Sequence, residues 1–231
     1  MSRSSTVVYT LLGILALAGG GSLLAQQTPE FQVEYTNAQL VPAHWVIKLN
    51  PDGSGQFDAE GGTPQEQDKG QIVVATVHRP IQVSAEFASR VFLTARRHKL
   101  FAIGCESHMK VAFQGTKRLS YAGPEGNGSC EYNYSKDKEI QMLGTALLDL
   151  EATLLHGARL EKLLQHDRLG LDKELEDLAT AAHEGEALEL GTIREVLARV
   201  ADDPQVMERA RRKARGLLGL ADTKQAGWSR D

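Results

Sequence analysis

The spacing of apolar residues divides this chain into a strand-like front and a helix-like rear. In His44–Leu49, Trp45, Ile47 and Leu49 alternate with more polar neighbours, the period-two pattern of a half-buried strand. Asn50-Pro-Asp-Gly53 follows. Proline sets φ there and glycine supplies a positive φ, so the chain is predicted to turn and return through Ser54 to Asp58 as a hairpin. An extended piece, Phe31–Tyr35, lies ahead of it in a polar lead. Gly61 to Gly70 is polar and reads as an exposed loop. Ile72–Val77 is dense in valine and reads as a central strand. A helix comes next, with Ser84 as N-cap and Phe87, Val91 and Ala95 as its apolar stripe.

The following block repeats that plan. Met109–Phe113 reads as a strand, Gly115-Thr116 as a turn and Lys117–Ala122 as a strand. Pro124–Gly128 reads as a loop, and Cys130–Tyr134 as a strand with Cys130, Tyr132 and Tyr134 on one side. A long helix is predicted from near Asp137, because Ile140, Leu143, Leu147, Leu150 and Leu154 recur at three- and four-residue spacing. Residues 44–100 and 109–156 thus share one order of elements. The fold class read from this is α+β: an antiparallel β-sheet with covering helices, arranged as a βββα unit used twice, followed by a C-terminal α-helical region. The two blocks share little sequence, so the duplication rests on the order of elements alone.

From 157 to 220 no strand signal remains. Leu160, Leu163 and Leu164 form one stripe, Leu171, Leu175 and Leu178 a second, and Ile193, Val196, Leu197 and Val200 a third. Gly157, Gly170, Gly185 and Gly191 punctuate the helices. The last helix is predicted to start with Asp203 as N-cap and Pro204 at its first position, burying Val206, Ala210, Ala214, Leu217 and Leu218. The resulting division is 1–25 as an export signal, 26–156 as an α+β domain, 157–220 as a helical region and 221–231 as a frayed tail.

The start of the chain gives the compartment. Met1-Ser-Arg3 is charged, Val7 to Ala18 is apolar, and a small-residue exit leads to Ala25 ahead of Gln26. This is the layout of a cleaved secretory signal. The competing reading is an uncleaved N-terminal anchor, weakened by Tyr9, Thr10 and the Gly19–Gly21 run. Export makes the two cysteines, Cys105 and Cys130, a natural disulfide. Composition is that of a soluble globular protein, and the net charge of −4 gives no general pull toward nucleic acid or an anionic membrane. Asn127-Gly-Ser129 and Asn133-Tyr-Ser135 match the glycosylation sequon, but read first as turn and strand chemistry.

Catalytic motifs are missing from the sequence. Seven histidines match no metal-binding spacing; His156, His166, Asp167, Asp172 and His183 are the nearest grouping, read here as polar residues near helix ends. No serine sits in a nucleophile elbow. Arg96-Arg97-His98-Lys99 closes a helix, where cations complement its dipole. The sequence therefore assigns no catalytic, cofactor or metal residues. It does place Arg209, Arg211, Arg212, Lys213 and Arg215 on the last helix, and a run of acids over 172–189. These two helices either pair with each other or leave a basic surface for an anionic partner, such as a membrane or cell-wall polymer.

The segment Asp203–Val206 with Ala210, Ala214, Leu217 and Leu218 resembles the second helix of a HEAT-type hairpin. The layout of a β-rich front and a tail beginning Gly157-Ala-Arg-Leu-Glu-Lys-Leu-Leu164 is similar to that of uncharacterised exported bacterial proteins, a likeness that implies no activity. The expected function is an exported, non-catalytic binding or envelope-associated protein, periplasmic or extracellular, whose partner is another envelope protein or an anionic surface. The alternatives are an extracytoplasmic hydrolase with a dispersed site and a scaffold docking through its helical tail.

Overall fold

The computed structural model describes residues 28–64 and 72–223. The segment read as an export signal, most of the polar loop ending at Gly70 and the last eight residues of the tail lie outside the described residues. Six strands form one antiparallel sheet: β1 (Glu30–Thr36), β2 (His44–Leu49), β3 (Ser54–Glu60), β4 (Val77–Gln82), β5 (Thr116–Gly123) and β6 (Gly126–Tyr132), in the order β4-β3-β2-β1-β5-β6. Five α-helices complete the described chain: α1 (Ala85–Arg97), α2 (Lys138–His166), α3 (Leu171–Glu184), α4 (Arg194–Asp202) and α5 (Glu208–Thr223).

Alternation fixes which face of the sheet is buried. Cross-strand register aligns Phe57, Ile47, Val33, Leu119 and Cys130 in one row, all of them buried. A neighbouring row runs Leu49, Phe31, Tyr121 and Gly128. A third runs Ala59, Trp45, Tyr35, Lys117 and Tyr132, with a charged residue in its middle. Helices α1 and α2 supply Phe87, Val91, Phe92, Ile140, Leu143, Leu147, Leu150 and Leu154 to the same core. The opposite face carries Glu34, Lys48, Asp58, His78 and Arg118, as expected of an antiparallel sheet with one solvated side.

Helix starts follow their caps. Ser84 accepts from the Phe87 N–H at 3.1 Å, and Asp137 accepts from Glu139 and Ile140 at the start of α2. Gly157 does not break α2. A Cβ there would lie 2.3 Å from the Ile193 side chain, so the missing side chain lets the 3-10 turn Leu190–Ile193 pack directly on the helix. Two buried clusters result. One runs from Phe31 to Leu155; the other begins at Leu160 and includes Leu171, Leu175, Leu178, Ile193, Val200 and Leu217. Both lie along the single helix α2, and the division drawn at 156/157 falls within that helix.

Four elements differ from the sequence reading. The strand read at Ile72–Val77 starts only at Val77 and lies on the sheet edge. The apolar density of 72–74 serves packing instead: Val74 is buried and Ile72 rests on the second cluster. Edge placement also admits Pro80, which has no N–H to donate to a neighbour. Pro124-Glu125 is a tight turn, and β6 begins at Gly126. Asp203 does not start the last helix. Its carboxylate takes the Gln205 N–H at 2.8 Å in a local turn, and α5 begins at Glu208. Met109–Phe113 forms no strand, so the second block contributes two strands to the sheet rather than three.

Candidate functional site

The segment between α1 and β5 first packs against the buried face of the sheet at β6. Immediately after α1, Lys99, Leu100 and Phe101 have φ of 52°, 58° and 66°. For residues with a Cβ this left-handed turn costs about 1–2 kcal/mol each. Two features hold it. Phe101 is fully buried, with its ring centroid 5.8 Å from that of Phe31. The β6 glycines make room: a Cβ on Gly128 would lie 2.5 Å from the Leu100 carbonyl oxygen.

Beyond the turn, the loop from Gly104 to Gly115 is tied at both ends. Cys105 is bonded to Cys130 on β6, so the expected disulfide is present. Glu106 accepts from the backbone N–H of Asn133 at 2.8 Å and of His108 at 3.1 Å. The Asn133 bond is the main reason the Glu106 carboxyl is held below its ordinary range. The Ser107 N–H donates to the Tyr134 carbonyl at 2.9 Å. The Asn133 side chain works like a short piece of strand, donating to the Ala112 carbonyl and accepting from the Gln114 N–H at 2.7 Å. At the far end the Tyr35 hydroxyl donates to the Gln114 carbonyl at 2.8 Å. Gly115, at φ 91°, lies so close to the Tyr35 ring that a Cβ would overlap it.

Between these ties the apex is apolar and open to solvent. Met109 is 52% exposed, Val111 40% and Phe113 59%. Other exposed large apolar residues, Leu40, Leu93, Met142 and Leu169, are separated in sequence from this group and from one another. Large apolar side chains grouped on a pinned loop are what an interaction surface needs, since little ordering entropy remains to be lost on binding.

Below the loop lies Lys117, with 2% exposure and its Nζ 5.8 Å from the Tyr35 ring centre and 5.4 Å from that of Tyr132. Burial lowers its pKa, and the charge of Glu106 opposes that shift in part. Tyr132 donates to the Ile140 carbonyl at 3.1 Å, and Gly144 of α2 passes directly over Tyr132 and the Lys117 stem. Glu151 of α2 is half-buried and close enough to Tyr35 for its charge to act on the phenol. Burial raises its pKa to about 7, against the attraction of Arg159. Sequence reasoning missed Lys117 and Glu151. Lys117 was legible, because it shares the inward parity of Leu119 and Tyr121.

The residues singled out on the helical tail are mostly used internally. Asp172 receives Arg209 and Lys213, each at 3.0 Å, and Lys213 also reaches Glu176. Arg211 and Arg215 pair with Glu208 of their own helix. Arg212 is exposed and has no ion pair among the described residues. His156 meets Glu174 at 2.7 Å, and Arg159 meets the same oxygen at 2.7 Å. Burial opposes charge on Glu174, but these two partners outweigh it and hold the carboxyl below its ordinary range. His156, His166, Asp167, Asp172 and His183 do not converge, and no metal-binding group of His, Cys, Asp and Glu occurs among the described residues. Arg96, Arg97 and His98 face carboxylates of Glu125 and Glu139.

No protein-family model matches this chain, and no curated protein shows significant sequence similarity to it. No helix among the described residues is long and apolar enough to cross a membrane.

Proposed function

We propose that this is an exported binding protein of the cell envelope, one that carries out no chemistry and meets its partner with the loop from Gly104 to Gly115. The observation that carries the reading is the apex itself: Met109, Val111 and Phe113 are exposed together on a loop tied down by a disulfide and by Glu106, Asn133 and Tyr35. A disulfide accords with an oxidising compartment, as does the charged and apolar start of the sequence. The test is a photo-crosslinking amino acid at Val111 in the exporting host. A discrete adduct is expected, lost when Met109 and Phe113 are both changed to serine, with no adduct from a probe at Ser129 on the open sheet face. Equal labelling from both positions overturns the reading.

A second reading, an envelope hydrolase, is favoured by one observation: burial pushes the Glu151 carboxyl up to about 7, the range of a general acid. Hydrolysis by the purified protein that disappears in Glu151→Gln, with folding retained, would establish it over the first.

A further inference from the structure

We propose that the surface met by this loop is an anionic lipid membrane. The inference rests on the loop being the binding surface, and it names the partner from the charges around the apex. Lys110 lies within the apolar group, and Lys136 and Lys138 follow the Tyr134 carbonyl to which the loop is bonded. All three lysines are exposed, and none has an ion pair among the described residues. His108 is exposed beside them.

The neighbouring carboxylates are already engaged. Glu106 accepts from the backbone N–H groups of Asn133 and His108. Asp137 caps α2 and faces His98 at 3.4 Å. Glu139 holds Arg97 at 3.3 Å and His98 at 3.0 Å. Glu131 lies opposite Arg118 on the open face of the sheet. Glu106 and Asp137 keep their negative charges while bonded, and Lys110, Lys136 and Lys138 outnumber them, so this end of the molecule offers apolar side chains beside an excess of exposed positive charge.

That combination suits the boundary between headgroups and acyl chains. Met109, Val111 and Phe113 enter the apolar side, while the lysines remain at the level of the anionic headgroups. An interior apolar groove on a protein would be matched by the apolar group alone; the exposed lysines add the requirement for negative charge. Binding of this kind falls with salt, because exposed charges are screened within about 10 Å at 0.1 M ionic strength.

The experiment is co-sedimentation of the exported protein, purified with its disulfide intact, with two kinds of vesicle: phosphatidylcholine alone, and phosphatidylcholine containing phosphatidylglycerol. Binding is expected only to the second kind. It should fall about ten-fold or more in Met109→Ser with Phe113→Ser, and by a similar factor in Lys136→Glu with Lys138→Glu, and it should weaken as salt is added. Arg212→Glu, on α5, serves as the control and should bind as the parent does. All these positions are on the surface, and far-UV circular dichroism confirms that each variant is folded.

No binding to the anionic vesicles overturns the lipid proposal, as does binding that ignores both double variants. An uncleaved apolar N-terminus gives that second result, since it partitions into both vesicle types regardless of the loop. If the vesicles are ignored while the probe at Val111 still captures a protein through Phe113, the partner is a protein and the binding reading survives without the lipid. If both experiments fail, the loop is not the binding surface.

Discussion

Replacing Glu151 by glutamine should make this protein more stable at alkaline pH, although the change removes a charged group. Burial raises the carboxyl from its ordinary value of 4.5 to about 7. The folded protein thus holds that proton more tightly than the unfolded chain does. For a carboxyl shifted upward, the native state is favoured while the group is protonated, and stability is lost as pH rises from 4.5 through about 7. The gap corresponds to about 3 kcal/mol at about 1.4 kcal/mol per tenfold change in proton affinity. Glu151 is only partly buried, and residual solvent contact makes this an upper bound. Glutamine keeps the shape and has no proton to lose. Urea unfolding followed by circular dichroism should therefore show near-equal stability of parent and Glu151→Gln at pH 4.5, and an advantage for the variant at pH 8.5 of up to about 3 kcal/mol. Glu189, also raised mainly by burial, contributes to the slope of both proteins and cancels in the comparison. A variant less stable than the parent at pH 8.5 would refute the reasoning, because it would mean that the carboxylate gains more from a partner than it loses by burial.

Three further outcomes are expected. Gly144→Ala should destabilise by about 1–3 kcal/mol in chemical denaturation, because the new methyl would lie 2.2 Å from the Tyr132 hydroxyl and the overlap exceeds the ~1 kcal/mol gain in helix propensity. Glu189→Ala should cost about 1–3 kcal/mol by the same measurement, since its carboxylate accepts from the Ser84 N–H at 2.6 Å and the Ser84 hydroxyl at 2.8 Å, across 105 residues of sequence. Expressed in a host that glycosylates secreted proteins, Asn127 should carry glycan by mass spectrometry and Asn133 should not: Asn127 is exposed at the β5–β6 turn, whereas the Asn133 amide is committed to Ala112 and Gln114.

Much of the fold could be read where one local signal decided the outcome. The β2–β3 hairpin follows from Asn50-Pro-Asp-Gly53, with Gly53 at φ 82°, and α1 and α2 follow from Ser84 and Asp137 as caps. The misreadings came where a local preference met a tertiary constraint. Met109–Phe113 has strand composition, but its backbone is bonded instead to the Asn133 side chain, through Ala112 and the neighbouring Gln114. Gly157 reads as a helix break until Ile193 is brought against it. The candidate loop was invisible for a related reason: alternating apolar residues signal burial, and only the completed sheet leaves Met109, Val111 and Phe113 outside. The acidic run and the basic helix could be paired from sequence, and Asp172 does meet Arg209 and Lys213.

Helix α2 has 29 residues, a length of about 44 Å at 1.5 Å per residue. Its first half closes the cluster under the sheet, and its second half opens the cluster of the helical tail. Neither cluster can melt without stripping packing from a rod that the other also uses. The middle turns around Leu154 to Leu160 therefore belong to both. Amide protons there should exchange only when the whole molecule opens, while those of α5 and of the β4 edge are released earlier. The helix thereby joins two small cores into one cooperative unit, and a disturbance of the helical tail is felt beneath the sheet.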